Sequence, residues 1–133
     1  MPRTFRSLEG YENLKPLDKF GKFLMEHLRD RAIEHHDGLA SGRWKAPALQ
    51  QLQLEIQSCT DEQKLLIRAC LLSAIDAGIH DFLFKLQEQA DFENDIQVFV
   101  DGVNIVPLID GIQAEPYGEE GWIARFSKYQ AGI

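Results

Sequence analysis

Three residues of one predicted helix carry the side-chain types of a nucleophilic catalytic triad. Ser73, Asp76 and His80 recur at helical spacing and therefore share one face. A helix rises about 1.5 Å per residue, so Ser73 and His80 are about 10 Å apart, far beyond hydrogen-bond reach. A triad also needs its histidine between the other two groups, whereas here the aspartate is in the middle. The spacing favours a polar stripe with an Asp76–His80 pair one turn apart.

A second candidate group, His27, Asp30 and Glu34, lies on the first predicted helix and offers nitrogen and carboxylate ligands for a metal. Helical bundles that bind metals carry Glu-x-x-His motifs on facing helices, and this sequence has no second copy of such a motif. Arg31 would also repel a cation. The pattern favours a solvated charged face, and we expect no bound metal. Because neither GxGxxG nor GxxxxGK[ST] occurs, we expect no nucleotide cofactor.

The charge distribution is the most informative feature of the sequence. Residues 1–68 hold 11 Lys and Arg against 10 Asp and Glu, whereas residues 69–133 hold 3 against 11. Between Gln87 and Ala124 there are nine acids and no Lys or Arg. Such an asymmetry bears on partners and solubility rather than on fold. The predicted partner-binding residues are Asp101, Asp110, Glu115, Glu119, Glu120 and Trp122.

Composition excludes several classes of protein. The pI near 5.0 argues against nucleic-acid binding, which needs a basic surface. The most apolar stretch, 65–86, is interrupted by charged residues and is not expected to cross a membrane. Cys59 and Cys70 match neither a disulfide framework nor a zinc motif, so we expect two reduced thiols in a cytoplasmic protein.

The elements that must position these residues begin with helices. Pro16 and an apolar repeat predict a first helix over 16–36, with Gly38 as its stop and a loop over 37–46. Pro47 predicts a short helix with a stripe of Leu49, Leu52 and Ile56. Thr60 and Gln63 match a capping box, which predicts a third helix over 61–90. Since this helix is apolar on nearly all sides, we expect it at the centre of the domain or in an oligomer interface.

The C-terminal third changes to a two-residue period. Alternation over 96–100 and the Asp101-Gly102 dipeptide predict a hairpin, with 103–109 as the returning strand. Asp110-Gly111 predicts a second turn of the same kind, followed by a short third strand over 112–115. Four aromatic and aliphatic residues are spaced for a final helix that Gly132 ends: Trp122, Ile123, Phe126 and Tyr129.

These elements predict a single α+β domain over 1–133, with an irregular lead-in over 1–15, three N-terminal helices and a small antiparallel sheet. We expect a non-enzymatic protein whose acidic half docks a basic protein partner, as an immunity protein or antitoxin does with a nuclease. One alternative is a small hydrolase or metal-dependent enzyme that uses His27, Asp30 and Glu34, or Asp76 and His80. Another is a housekeeping subunit whose acidity only confers solubility. An exposed sheet edge would allow a homodimer.

Overall fold

The computed structural model describes residues 10–130 and confirms the α+β class. Helix α1, Pro16–Leu24, passes through a π-helical turn, Met25–Arg29, directly into α2, Asp30–Ser41. A 3-10 turn, Pro47–Leu49, leads into α3, Gln50–Gln57. Helix α4, Asp61–Glu88, ends in a second π-helical turn, Gln89–Glu93. Of the lead-in, residues 1–9 lie outside the described part, as does Gly132.

The rest of the chain is a hairpin, two 3-10 turns and a short helix. Strands β1, Phe99–Val100, and β2, Val103–Asn104, pair antiparallel. The 3-10 turns Val106–Leu108 and Ile112–Ala114 follow, and α5, Trp122–Phe126, completes the fold. Among residues 10–130, no helix combines the length and the hydropathy needed to cross a bilayer.

The predicted stop of the first helix at Gly38 is wrong. Gly38 lies inside α2, and an added Cβ there would come within 2.2 Å of the Trp44 indole. The helix instead ends at Gly42, whose φ of +70° is the left-handed conformation that terminates helices. Gly38 therefore serves close packing rather than termination, and the loop that follows is shorter than predicted.

Helix α4 begins as predicted. The Thr60 hydroxyl accepts from Gln63 N at 3.1 Å, and the Gln63 side chain accepts from Thr60 N at 2.9 Å. Its inner face packs on the first helix and the C-terminal segment through four buried aliphatic residues, Leu72, Ile79, Leu83 and Leu86. The helix is not buried on all sides within one chain, since Leu66 remains 66% exposed and Phe82 55% exposed, so the alternative of an oligomer interface stays a prediction.

The hairpin turn is confirmed, but the sheet is smaller than predicted. Asp101 and Gly102 have φ values of +52° and +77°, as the two-residue turn requires. Pro107, which cannot donate to a strand ladder, lies in a 3-10 turn where the long returning strand was predicted. Gly111 has a φ of −159°, so the second turn of this type is wrong, and the predicted third strand is a 3-10 turn.

The core joins the first helix, α4 and the C-terminal segment. Its buried members are Leu24, Met25, Ile79, Leu83, Leu86, Ile105, Val106, Ile112, Trp122 and Ile123. In α3 the predicted stripe is partly wrong, since Leu52 is 46% exposed while Gln53 is buried beside Ile56. The Gln53 side chain bonds both the N–H and the carbonyl of Trp44, which explains its burial without a hydrophobic group.

Candidate interaction surface

The acidic loop, which we define as residues 110–120, is held against α5 by backbone hydrogen bonds. Trp122 N donates to the Glu115 carbonyl and Ile123 N to the Pro116 carbonyl, both at 3.0 Å. Glu119 and Glu120 lie in the turn that these bonds enclose, and both are exposed. The backbone that carries these two carboxylates is therefore fixed by the fold.

Two side-chain contacts fasten the acidic loop along α4. Ile112 N donates to Gln87 Oε1 at 2.8 Å, and the Tyr117 hydroxyl donates to the Asp76 carbonyl at 2.9 Å. Gln87 and Asp76 are eleven residues apart, so the loop spans about 16 Å of the helix. Burial, together with the charge of Asp76, raises the pKa of Tyr117, so its hydroxyl remains a donor at neutral pH.

Trp122 was predicted to contact a partner, and the structure contradicts this. Its side chain is fully buried, with an edge-on contact to Phe20 at 6.1 Å between ring centroids. The indole Nε1 donates to Asp18 Oδ1 at 3.3 Å. Trp122 is therefore a core residue that anchors the acidic loop to α1, and its side chain has no surface to offer a partner.

Within the described part of the chain, most acids of the C-terminal half form no ion pair with Lys or Arg. Of the nine acids over 88–120, Glu88 pairs with Lys85 at 3.2 Å and Asp101 with Lys19 at 2.6 Å. Among residues 10–130 the other seven have no Lys or Arg within ion-pair distance. Five acids of the first helix and α4 do have such partners: Asp18, Glu26, Glu34, Asp37 and Asp76.

The charge of Arg125 interacts with glutamates of the acidic loop, but its ion pair is formed with α1. Arg125 donates to both carboxylate oxygens of Asp18, at 3.2 and 3.0 Å. The bond to Asp18 raises the pKa of Arg125, and the charges of Glu120 and Glu115 raise it further. These two glutamates thus lie near a guanidinium that forms its ion pair with Asp18, and neither of their carboxylates is within ion-pair distance of it.

Gln87 holds the backbone just before Asp110. Gln87 Nε2 donates to Asp91 Oδ1 at 3.2 Å and to the Ile109 carbonyl at 3.3 Å. The side-chain amide of Gln87 therefore links Asp91 to Ile109, the residue before Asp110. Asp101 differs from the loop acids because Lys19 neutralises it within the fold, which makes it a weaker partner-binding candidate.

The structure does not bring the predicted metal or hydrolase residues together. Asp30 is buried and accepts from the Ser127 hydroxyl at 2.5 Å and from Lys128 N at 3.1 Å. Glu34 pairs with Lys128, and the His27 ring lies 4.7 Å from that of Phe23. Within residues 10–130, no three His, Cys, Asp or Glu side chains are placed to hold a metal ion.

The predicted Asp76–His80 pair is also wrong. Asp76 accepts from the buried Arg29, whose Nε lies 2.7 Å from Oδ1 and whose Nη2 lies 3.2 Å from Oδ2. His80 Nδ1 instead lies 3.1 Å from Oδ1 of Asp81. Sequence spacing could not reveal this arrangement, because Arg29 is 47 residues from Asp76 and only the packing of the two helices joins them.

A groove that sequence reasoning missed runs between α2 and the start of α4, with a volume of about 530 Å³. Asp37 accepts from Arg68 at 3.0 and 3.2 Å, and its Oδ1 lies 3.0 Å from Nδ1 of the buried His36. Burial alone would raise the pKa of Asp37, but the bonds from Arg68 and His36 outweigh burial and lower it. Each of these polar groups thus supports another member of the same network.

Comparison of the chain with models of known protein families, with curated proteins and with solved structures found no match.

Proposed function

We propose that this protein is a non-enzymatic binding protein whose acidic loop docks a basic protein partner in the cytoplasm. One observation carries the proposal: seven of the nine acids over 88–120, four of them in the acidic loop, lack an ion-pair partner among residues 10–130. Carboxylates without cationic partners repel one another and lower stability. A positively charged partner would relieve that repulsion on binding.

The fixed backbone of the acidic loop supports the same proposal. Binding costs less conformational entropy when the contacting groups are already held in place. Glu119 and Glu120 lie in a turn closed by the Gly121 N–H to Gly118 carbonyl bond at 3.1 Å. The loop thus offers charge at defined positions, in the manner expected of a protein that neutralises a basic partner, such as an immunity protein or antitoxin.

The experiment compares two charge reversals that change net charge equally. Glu119→Lys with Glu120→Lys alters the acidic loop, and Glu12→Lys with Glu55→Lys alters exposed acids before α1 and in α3. Each immobilised variant is exposed to lysate of the native host, and retained proteins are identified. A specific partner should be basic, retained by the wild type and by the second variant, and lost with the first.

The kinetics of the recovered partner complete the test. Electrostatic steering is screened beyond about 8 Å at physiological salt, so the association rate should fall steeply as salt rises. The dissociation rate should change less. Equal retention of the partner by both double variants, or recovery of no basic protein, would leave the acids with a solubilising role, as in a housekeeping subunit.

A further inference from the structure

Helix α4 directs its charges inward and its apolar groups outward over residues 66–78. The two charged residues of this stretch, Arg68 and Asp76, pair with Asp37 and Arg29 of the first helix. A helix on the surface of a globular protein normally shows the opposite arrangement. The exposed side consists of seven residues, which we call the outer strip: Leu66, Ala69, Cys70, Ser73, Ala74, Ala77 and Gly78.

Large apolar side chains flank the outer strip at both ends. Leu66 at one end of the strip is 66% exposed, and Phe82 and Phe84 beyond the other end are 55% and 41% exposed. An aromatic side chain can bury about 200 Å², so each of these Phe residues leaves about 100 Å² in water. Between these ends the side chains are small, and a Cβ built on Gly78 meets nothing within 4 Å. Small central residues let another helix approach closely, and large residues at the ends then enclose it.

We propose that the outer strip is a homodimer interface, on which α4 of a second copy packs antiparallel with Ala74 at the two-fold axis. Leu66 is eight residues before Ala74 and Phe82 eight residues after, so each leucine would face a phenylalanine of the other copy. A closed two-fold pairing needs one self-complementary patch of this kind.

The charges at the ends of α4 select the antiparallel direction. Lys85 is eleven residues after Ala74 and Glu62 twelve residues before it. Antiparallel packing therefore sets the lysine of each copy near the glutamate of the other, whereas parallel packing would oppose like charges. Both side chains are exposed, and Lys85 retains 73% of its side-chain exposure beside Glu88.

The area of the strip predicts a reversible dimer. A helix face of nineteen residues, from Leu66 to Phe84, is about 30 Å long and about 10 Å wide. Even with the flanking aromatic rings, it provides less than the about 800 Å² per partner of a standard interface. We therefore expect monomer and dimer to exchange in the micromolar range rather than to form a permanent complex.

Sedimentation velocity from about 1 to 500 µM tests the proposal, with the mass expected to double over this range. Ala74→Glu would face its own copy across the two-fold axis and should abolish the dimer, while Gln51→Glu, exposed on α3, should not. Circular dichroism verifies that both variants remain folded. A monomer at every concentration, or equal dimer fractions for the two variants, would overturn the proposal.

Cross-linking tests the register without relying on a disruptive variant. Ala74→Cys, combined with Cys59→Ser and Cys70→Ser, should form an intermolecular disulfide because the two thiols meet at the axis. Cys70 in the wild type should not, because its two copies are offset by about 12 Å along the helices. A bismaleimide of that span should join them. A direct Cys70 disulfide would contradict the antiparallel register.

Salt separates this interface from the acidic loop. An apolar interface should hold or strengthen as salt rises, whereas docking of a basic partner should weaken. Glu119→Lys with Glu120→Lys should leave the dimer intact, and Ala74→Glu should leave capture of the basic partner intact. Failure of one proposal would therefore leave the other standing.

Discussion

Trp122 lies directly on Gly21, where an added Cβ would come within 2.2 Å of the indole Cε2. This contact seats the C-terminal helix α5 on α1, and only a residue without a side chain permits it. The same contact holds the end of the acidic loop, since Trp122 N also donates to the Glu115 carbonyl.

Gly21→Ala should therefore destabilise the protein by about 1–3 kcal/mol through overpacking. Gly78→Ala is the matched control, because it makes the same change inside a helix but meets open space. There the gain in helix propensity should stabilise by about 0.5–1 kcal/mol. Urea unfolding of both variants at about 1 µM or below, where we expect the protein to be monomeric and Gly78 to be uncovered, measures the difference. Equal unfolding free energies would contradict the close approach of Trp122.

The buried Arg29 connects the first helix to α4 and to the end of the chain. Besides Asp76, it donates to the Ser127 hydroxyl at 2.8 Å and to the Tyr129 carbonyl. Arg29→Met should cost about 3–5 kcal/mol, because it leaves Asp76 without its partner. Arg31→Met, exposed on the same helix, should cost under about 0.5 kcal/mol.

A double-mutant cycle isolates the ion pair. Arg29→Met combined with Asp76→Leu removes both charges, so it should be more stable than Arg29→Met alone. Strictly additive unfolding free energies would show that the pair is not energetically coupled.

The Asp37 network should make stability depend on pH. Hydrogen bonds hold the pKa of Asp37 below its usual value despite burial, so the folded state favours the carboxylate. The resulting stabilisation is present above the ordinary aspartate pKa of about 3.9 and is lost as pH falls through the lower folded value. Asp37→Asn should therefore destabilise at pH 7 and lose this effect in acid.

Denaturant midpoints of Asp37→Asn and the wild type, compared from neutral pH down to about pH 2, measure the effect. Glu55→Gln removes the same charge from an exposed position and corrects for the change in net charge. A stability difference between Asp37→Asn and wild type that stays constant over this range would contradict the network.

The hairpin turn gives a purely conformational prediction. Gly102 has a φ of +77°, and a Cβ there would meet nothing within 4 Å. Gly102→Val should cost more than about 1 kcal/mol because a β-branched residue is strained at this φ. Gly102→Asn should cost less, since asparagine tolerates the left-handed region. Equal melting temperatures for the two variants would contradict backbone strain at this turn.

Features that depend on neighbouring residues were determined by the sequence alone. The capping box of Thr60 and Gln63 and the turn at Asp101-Gly102 each require only a few adjacent residues, because their hydrogen bonds and dihedral angles are local. The helical period over 61–90 likewise identified α4 almost to its ends. The concentration of acids over 88–120 can be counted without any structure.

Tertiary packing decided what these elements do. Gly38 was predicted to end the first helix, but it lies inside α2 because the Trp44 indole occupies the space that a side chain would fill. The helix ends at Gly42 instead. Trp122 was predicted to contact a partner, but its side chain is buried because it packs on Gly21. The Arg29–Asp76 ion pair could not be predicted from the sequence either, because nothing in the spacing around Arg29 indicates that it pairs with Asp76 rather than remaining in water. Local propensity acts within a few residues, whereas burial and ion pairing depend on which distant surfaces meet.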